Sequence, residues 1–155
     1  MVTGPKAFVV RPGEGEILSF PGFGVQFKVP SEITGGQLSI IELPLKPRRL
    51  VPPHTHLSED ELSYVLEGEI GFRVGDDTLT AGPGTYVYKP KGLLHTFWNA
   101  SDRLARVLEI IFPGGFEDSF RPGAPPQPGR RANIHDDTWV PELKERYKLK
   151  LLGEP

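Results

Sequence analysis

The hydrophobic residues of this chain fall in short runs that alternate with polar residues or are rich in β-branched side chains. The runs span residues 7–10, 16–20, 25–29, 37–45, 61–66, 69–74, 78–80, 85–88, 95–98 and 104–112. They are too short for helices, and Gly, Pro or Asp interrupts the chain at nearly every gap between them. Across residues 70–74 every second position is apolar, as a half-buried strand requires. The pattern predicts short strands joined by tight turns.

Two of these runs are separated by Gly75, Asp76 and Asp77, a combination that predicts a hairpin turn. Strands of this length and number fit a jelly roll, in which two antiparallel sheets enclose one core. We therefore predict an all-β fold.

The character of the chain changes after Phe112. Residues 116–120 predict one helical turn, and the segment that follows is dense in Pro and Gly. We predict three parts: a barrel over residues 1–120, a Pro/Gly-rich arm over 121–136 and a C-terminal helical segment over 137–155 that packs on the barrel.

The predicted helix runs through residues 141–149. Asp137 or Thr138 can cap its N-terminus, and Pro141 is tolerated in the first turn. Three residues fall on one stripe of this helix and are expected to contact the barrel: Trp139, Leu143 and Tyr147.

The composition fits one domain with its own core. The chain has 155 residues, a formal charge of −2, 37% hydrophobic residues and no Cys. The absence of Cys excludes a disulfide scaffold, a thiolate zinc site, an iron–sulfur cluster and a catalytic thiol. A metal ion in this protein must therefore be bound by His and carboxylate side chains.

The charge distribution argues against nucleic acid as a partner. The chain has 18 Lys and Arg against 20 Asp and Glu, and its longest basic cluster is residues 46–49. No apolar run approaches the roughly 18 residues of a membrane span, and residues 1–11 lack the pattern of a signal peptide. We expect a cytoplasmic protein that binds neither membranes nor nucleic acid.

Histidines are concentrated in the β-rich centre of the chain. His54 and His56 are two residues apart, so on a strand both imidazoles face the same side. Glu61 follows after four residues, and His95 begins a later predicted strand. Three imidazole nitrogens and one carboxylate suit a divalent first-row transition metal.

Residues 54–68 and 84–99 each match a sequence motif. In the first, His-x-His is followed by Glu and then Gly, at His54, His56, Glu61 and Gly68. In the second, Gly is followed by Pro-x-Gly, His and Asn, at Gly84, Pro90, Gly92, His95 and Asn99. These spacings resemble the two motifs of the cupin superfamily. The Gly that often lies six residues before the first motif His is Arg48 here, which alters a turn and none of the ligands.

Residues 64–69 and 113–117 make the chain similar to small, single-domain bacterial cupins of the quercetin 2,3-dioxygenase-like kind. The resemblance implies a double-stranded β-helix barrel, a small-molecule substrate and a homodimer. It implies that His54, His56, Glu61 and His95 bind the metal. Fe, Mn, Ni, Co, Cu and Zn all accept this ligand set, so the ion stays open.

Two carboxylates are candidate catalytic groups. Glu61 could leave the metal and act as the base that removes a substrate proton. Glu109 interrupts the apolar run 107–111, where a carboxylate is costly unless it is paired, and it could support a ligand or act as general base. If His95 and Glu61 face inward, strand alternation also turns Phe97 and Ser63 inward. His135, near the end of the arm, is expected to be solvated.

The first hypothesis for function is a dioxygenase-type oxidoreductase that acts on a small aromatic or enol substrate, as the resemblance implies. One alternative is an isomerase, epimerase or lyase that uses the ion as a Lewis acid. Another is a non-catalytic metal- and ligand-binding cupin, because fold does not fix function. A closed site without a substrate-sized cavity would favour this last alternative.

Overall fold

The structure, a computed structural model, describes residues 6–124, 130–132 and 139–155, with only the backbone described at 130–132. The strands within these ranges are Ile17–Phe20 (β1), Phe23–Val29 (β2), Ser39–Leu45 (β3), Arg49–Leu50 (β4), His54–His56 (β5), Asp60–Glu67 (β6), Ile70–Val74 (β7), Asp77–Ala81 (β8), Tyr86–Lys89 (β9), His95–Asn99 (β10), Ala105–Phe112 (β11), Arg130–Ala132 (β12) and Lys150–Leu151 (β13). A helix spans Trp139–Tyr147 (α1), and 3-10 turns span Ser31–Ile33 and Phe116–Phe120.

The strands form two sheets. The first has the order β1-β2-β3-β11-β6-β9, and its neighbouring strands are antiparallel. The second has the order β12-β5-β10-β4-β13, with β7 also paired to β10 and β8 paired to β7. Chain neighbours such as β5 and β6 lie in different sheets, as a jelly roll requires. The predicted all-β jelly roll with a short C-terminal helix is confirmed.

The main core lies between the two sheets. Along β11 and β6 buried and half-buried positions alternate, so one side of each strand faces the interior. Sixteen buried apolar residues form this core, among them Val25, Ile41, Val65, Phe72 and Val107. The alternation also carries polar side chains inward at three positions: Glu61, Ser63 and Glu109.

Helix α1 packs on the outer side of the second sheet. A separate cluster joins buried Val140 and Leu149 to Leu50 of β4 and Trp98 of β10. The three residues of the predicted helical stripe, Trp139, Leu143 and Tyr147, pack against this cluster. No helix among the described residues is long and apolar enough to cross a membrane.

Several local predictions are wrong. Residues 7–10 form no strand, and Phe8 and Val9 are exposed because no neighbouring strand pairs with them. The helix begins at Trp139, with Pro141 in its first turn as predicted, but it ends at Tyr147, two residues before the predicted end at Leu149. The proposed caps Asp137 and Thr138, and His135, lie outside the described residues.

Strands of two or three residues escaped the sequence pattern, because a run this short shows no periodicity. Within the predicted arm, Arg130–Ala132 pairs with β5. β4 and β13 are two residues each and pair in parallel. The division into barrel, arm and helical segment stays a prediction.

Arg48 has a φ of +57°, a left-handed conformation that favours glycine. Arg48 thus takes up in this turn a backbone conformation that is usual for glycine. The Arg48 guanidinium donates to Asp102 Oδ1 from Nε (3.0 Å) and Nη2 (2.9 Å). It also donates from Nη1 to the carbonyl oxygen of Tyr147, the last residue of α1 (3.2 Å). The side chain thus holds this turn against the end of the helix.

Candidate metal centre

Three strands bring the four predicted ligands together. His54 and His56 face the interior from β5, and His95 on β10 is the direct cross-strand partner of His54. Glu61 reaches the same point from β6 in the opposite sheet. All four side chains are buried, and one donor atom from each lies within 4.8 Å of the others. These residues form a group that can hold a metal ion.

Backbone carbonyls orient two of the imidazoles. His54 Nδ1 lies 2.8 Å from the carbonyl oxygen of Pro52, and His95 Nδ1 lies 3.0 Å from that of Leu93. Because a carbonyl oxygen only accepts, each Nδ1 carries the proton and each Nε2 keeps its lone pair for the centre. A hydrogen bond of this kind is typical of histidines that bind metals.

The contact between His95 and Glu61 provides a test of whether a cation fits. His95 Nε2 lies 3.0 Å from Glu61 Oε2. In a neutral imidazole with its proton on Nδ1, this nitrogen and the carboxylate oxygen face each other with lone pairs. Such an arrangement is repulsive unless a cation or an extra proton lies there. A divalent ion satisfies both atoms, so the residues fit a metal.

The electrostatics of the centre favour deprotonated ligands. Burial, followed by the nearby His95, holds the pKa of His54 well below its ordinary value. Burial alone raises the pKa of Glu61, but the charge of Lys89 outweighs it and holds that pKa well below its usual range. A neutral imidazole and an ionised carboxylate are the forms that bind metal ions.

A buried lysine connects Glu61 to the second candidate carboxylate. Lys89 Nζ donates to Glu109 Oε2 at 2.7 Å and lies 3.1 Å from Glu61 Oε2. Glu109 also accepts a hydrogen bond from Ser63 Oγ at 2.6 Å. Lys89 is 1% exposed and Glu109 is 2% exposed, so neither charge is compensated by solvent. The pairing that the sequence required for Glu109 is supplied by Lys89.

The pKa values of the two carboxyl groups shift in opposite directions. Burial raises the pKa of the Glu109 carboxyl above its usual range; Lys89 opposes this rise and Glu61 adds to it. Burial lowers the pKa of Lys89, but the charges of Glu109 and Glu61 outweigh it and raise that pKa. Glu109 therefore accepts a proton more readily than Glu61 does.

Lys89 was missed by the sequence analysis, although a signal for it exists. The predicted strand ended at Tyr88, whereas β9 continues to Lys89. Val87 is buried and strand alternation then turns Lys89 inward, opposite Glu61 in the register of β9 with β6. The second signal is Glu109, because a buried carboxylate needs a partner of opposite charge and the sequence pattern assigns it none.

An apolar cavity of about 340 Å³ opens onto the centre. At its polar end lie His54, Glu61 and Glu109. The other lining residues are mostly aromatic or aliphatic: Phe20, Pro21, Phe23, Ile41, Leu43, Leu45, Val51, Pro52, Phe97, Phe116, Phe120, Leu152 and Gly153. The inward position predicted for Phe97 is confirmed. The volume is that of a small-molecule site.

Other motif residues build the frame of the centre. Asn99 Nδ2 donates to the carbonyl oxygens of Leu45, Lys46 and Arg103 at 2.7–3.2 Å. Gly92, with φ +80°, donates its N–H to the carbonyl oxygen of His56 at 2.6 Å. This bond fixes the turn before β10 against the strand that carries two ligands.

Comparison with known proteins shows a shared domain. Residues 42–111 match the family model described as Cupin domain. The chain is 36% identical over 93 residues to Germin-like protein 1 of Brassica napus, a match that covers 57% of this chain and 44% of that protein. The chain thus spans less than half the length of this curated relative.

Solved structures share the fold. The polyketide cyclase RemF from Streptomyces resistomycificus superposes with a TM-score of 0.65 at 21% identity, covering 94% of this chain and 99% of that chain. A predicted oxalate decarboxylase from Thermotoga maritima superposes with a TM-score of 0.62 at 23% identity, covering 68% of this chain and 99% of that chain. Together with the jelly-roll topology, these similarities show that residues 42–111 form a cupin domain.

Proposed function

We propose that this chain is a metal-dependent enzyme that binds a divalent transition metal through His54, His56, Glu61 and His95. The observation that carries the proposal is a substrate-sized cavity that ends at this buried cluster. A non-catalytic cupin with a closed site would have no such opening beside its ligands.

The lining of the cavity supports a proposal for the chemical class of the substrate. Its walls are almost entirely apolar, and its polar groups are confined to the end formed by His54, Glu61 and Glu109. Phe20 and Phe23 stack with ring centroids 4.8 Å apart, and Phe120 lies against Phe23 at 6.4 Å. Such walls suit a flat, apolar molecule that presents an enol or phenol oxygen at one end.

The first reaction we propose is oxygenation of an enol or aromatic substrate, as the resemblance to quercetin 2,3-dioxygenase-like cupins suggests. A divalent ion at the centre would supply a Lewis acid for the substrate oxygen and, if redox-active, a route for electrons to dioxygen. Both atoms of dioxygen then enter the product, so the substrate supplies the electrons and no separate reductant is required. The phenylalanine walls exclude water and align the substrate with the polar end.

The chain's own acid–base groups divide into two roles in this proposal. Glu61 points one oxygen toward His56 (3.4 Å) and the other toward His95 and Lys89, a position that suits a ligand. Glu109 lines the cavity without belonging to the ligand cluster. We assign proton removal from the substrate to Glu109, with Ser63 and Lys89 holding its carboxylate in place.

The Lys89–Glu109 pair also favours a second candidate function. An isomerase, epimerase or lyase needs a proton moved at a carbon next to a carbonyl, with the ion only as a Lewis acid. Glu109 lines the cavity and accepts a hydrogen bond from Lys89, so the pair could move such a proton without redox chemistry. Dioxygen would then play no part in turnover.

One experiment separates the two reactions. The protein is loaded with Fe, Mn, Ni, Co or Cu, and oxygen consumption is measured with flavonols, catechols and β-diketones. The β-diketone mixtures are then followed anaerobically in D₂O by NMR for exchange of the α-hydrogen above the rate without protein. Oxygen uptake supports the dioxygenase, and exchange without uptake supports the second candidate. The absence of both with every metal would contradict an enzymatic role.

Amide variants distinguish the role of Glu61 from the role of Glu109. Glu109→Gln should keep its metal and lose at least about 100-fold in rate, the typical effect of removing a base. Glu61→Gln should lower metal content, and excess metal should restore part of its activity. A reversed pattern would return the role of base to Glu61.

We also propose a homodimer, as the resemblance implies. The outer face of the first sheet carries apolar side chains in register across four strands: Tyr88, Leu62, Ile110 and Ile40. Tyr88 is 52% exposed, and continuous apolar surface of this kind marks contacts between proteins. Sedimentation should give twice the 17.2 kDa chain mass, and Ile110→Lys should give the single chain. A monomer at every concentration would contradict the proposal.

A further inference from the structure

The C-terminal segment that follows α1 forms part of the wall of the cavity. Leu152 and Gly153 lie among the lining residues, although they are distant in sequence from the barrel strands. We infer that this tail, Lys150–Glu154, limits the size of the molecule that the cavity accepts, with Leu152 as the specificity-determining side chain. The inference rests on the proposed function in taking this cavity as the substrate site.

Hydrogen bonds from the barrel fix the path of the tail. β13 pairs in parallel with β4, and the Leu152 N–H donates to the carbonyl oxygen of Leu50 at 3.0 Å. The next residue, Gly153, donates its N–H to the carbonyl oxygen of Pro21 at 3.3 Å. Pro21 lies between Phe20 and Phe23, so the tail is attached to the aromatic side of the cavity.

The last turn of the tail is fixed at Glu154. Its N–H donates to the carbonyl oxygen of Leu151 at 3.1 Å, which closes a turn with Gly153 at φ +89°, where glycine is favoured. Arg49 Nη1 donates to the Glu154 carbonyl oxygen at 2.7 Å, and Lys144 Nζ donates to its carboxylate at 2.9 Å. These bonds hold the tail as a wall with a defined position.

Adjacent tail residues contact different parts of the molecule. Leu151 packs on the cluster between α1 and the second sheet, whereas Leu152 packs against the main core. Leu152 has no polar group, so its contribution to the cavity is volume alone. A larger side chain at this position narrows the cavity, and a smaller one widens it.

The test uses three phenols that share one hydroxyl and differ in ring number: phenol, 2-naphthol and 1-hydroxypyrene. Their dissociation constants are measured by calorimetry or fluorescence for the full chain, both metal-free and zinc-loaded. The variants are Leu152→Trp, Leu152→Ala, Leu151→Ala as the neighbouring tail residue, and Leu104→Trp as an added surface indole at a position 43% exposed. Thermal melts confirm that each variant is folded.

Leu152→Trp should weaken 2-naphthol binding at least tenfold while phenol changes less than threefold, and Leu152→Ala should favour the larger phenols. Leu151→Ala and Leu104→Trp should leave all three constants within about twofold. Equal affinities in the parent and folded Leu152→Trp, or no binding of any phenol to the parent, would overturn the inference. The proposed metal-dependent function fails separately if the dissociation constants of the metal-free and the zinc-loaded protein are the same.

Discussion

Lys89 is a buried cation between two carboxylates, and it sets the electrostatics of the centre. Its ammonium lies 2.7 Å from Glu109 and 3.1 Å from Glu61, and all three side chains are buried. Removing one partner of a buried ion pair leaves an uncompensated charge, which is far more destabilising than losing the pair as a whole. The lysine therefore stabilises the fold as well as orienting Glu61.

Lys89→Met should lower the free energy of unfolding by about 3–5 kcal/mol, because it leaves Glu61 and Glu109 without their cation. Lys91→Met, at an exposed position two residues away, is the matched control and should change stability by less than about 0.5 kcal/mol. Denaturant unfolding of the metal-free proteins measures both. Equal stabilities of the two variants would show that Lys89 does not compensate these charges.

The four candidate ligands could be predicted, because each lies in one of two motifs, residues 54–68 and 84–99, whose internal spacings resemble those of cupins. Lys89 could not be placed in the same way. Its partners Glu61 and Glu109 lie 28 residues before it and 20 residues after it in the chain. Only the pairing of β6 with β9 and β11 brings the three side chains together.

The 3-10 turn Phe116–Phe120 carries a part of the cavity wall, and a buried carboxylate secures it. Glu117 Oε1 accepts the Ser31 N–H at 2.8 Å, and Oε2 accepts the Gly115 N–H at 2.8 Å. Burial alone raises the pKa of Glu117, but the nearby hydroxyls of Ser31 and Ser39 and the Ser31 N–H outweigh it and lower that pKa below its ordinary value. The ionised carboxylate therefore stabilises the turn that presents Phe116 and Phe120.

Glu117→Gln should destabilise the protein by about 1.5–3 kcal/mol at neutral pH, since it weakens two charge-assisted hydrogen bonds. A lowered folded-state pKa gives stability that is complete above the unfolded value of about 4.3 and is lost as pH falls through the folded value. The difference between parent and variant should therefore narrow in acid. Unfolding curves from pH 7 to pH 3 measure it.

Glu69→Gln, which removes an exposed carboxylate, is the control for this series. It should match the parent within about 0.5 kcal/mol throughout the pH range. A difference for Glu117→Gln that stays constant or grows in acid would contradict the assigned role of the carboxylate.

Strands in which apolar and polar residues alternate could be predicted from the sequence. Strands that form only because neighbouring strands pair with them could not. In β7 the alternation is visible in the sequence, and Ile70, Phe72 and Val74 are buried as it predicts. β5 has three residues next to two prolines and is a strand because β10 and β12 pair with it on either side. Residues 7–10 show the opposite case: an apolar run without a neighbouring strand.

The cavity is a property of the whole molecule. Its walls come from the β1–β2 hairpin, β3, the segment before β5, β10, the turn at Phe116–Phe120 and the C-terminal tail. No local pattern in the sequence predicts that these segments meet. The superfamily motifs predicted the polar end of the cavity and left its shape undetermined.

The C-terminal segment covers apolar surface of the barrel. Leu50 is fully buried and Trp98 is 3% exposed, and both lie in the cluster with α1. Deleting residues 139–155 exposes both, and burial of each large apolar side chain contributes about 1.5–3 kcal/mol. The truncated chain should therefore melt several degrees lower and still bind metal, because the four proposed ligands lie outside the deleted segment. A melt like that of the full chain would show that the segment does not stabilise the barrel.

The central claim is that His54, His56, Glu61 and His95 hold one divalent ion. The most direct test is elemental analysis of chelator-free protein for the parent, the three single His→Ala variants, the His54/His95 double variant and His135→Ala. About one ion per chain is expected in the parent and in His135→Ala, less in each single His→Ala variant of a ligand and none in the double variant. Loss of the ion in His135→Ala together with its retention in His95→Ala would show that the ligand set is wrong.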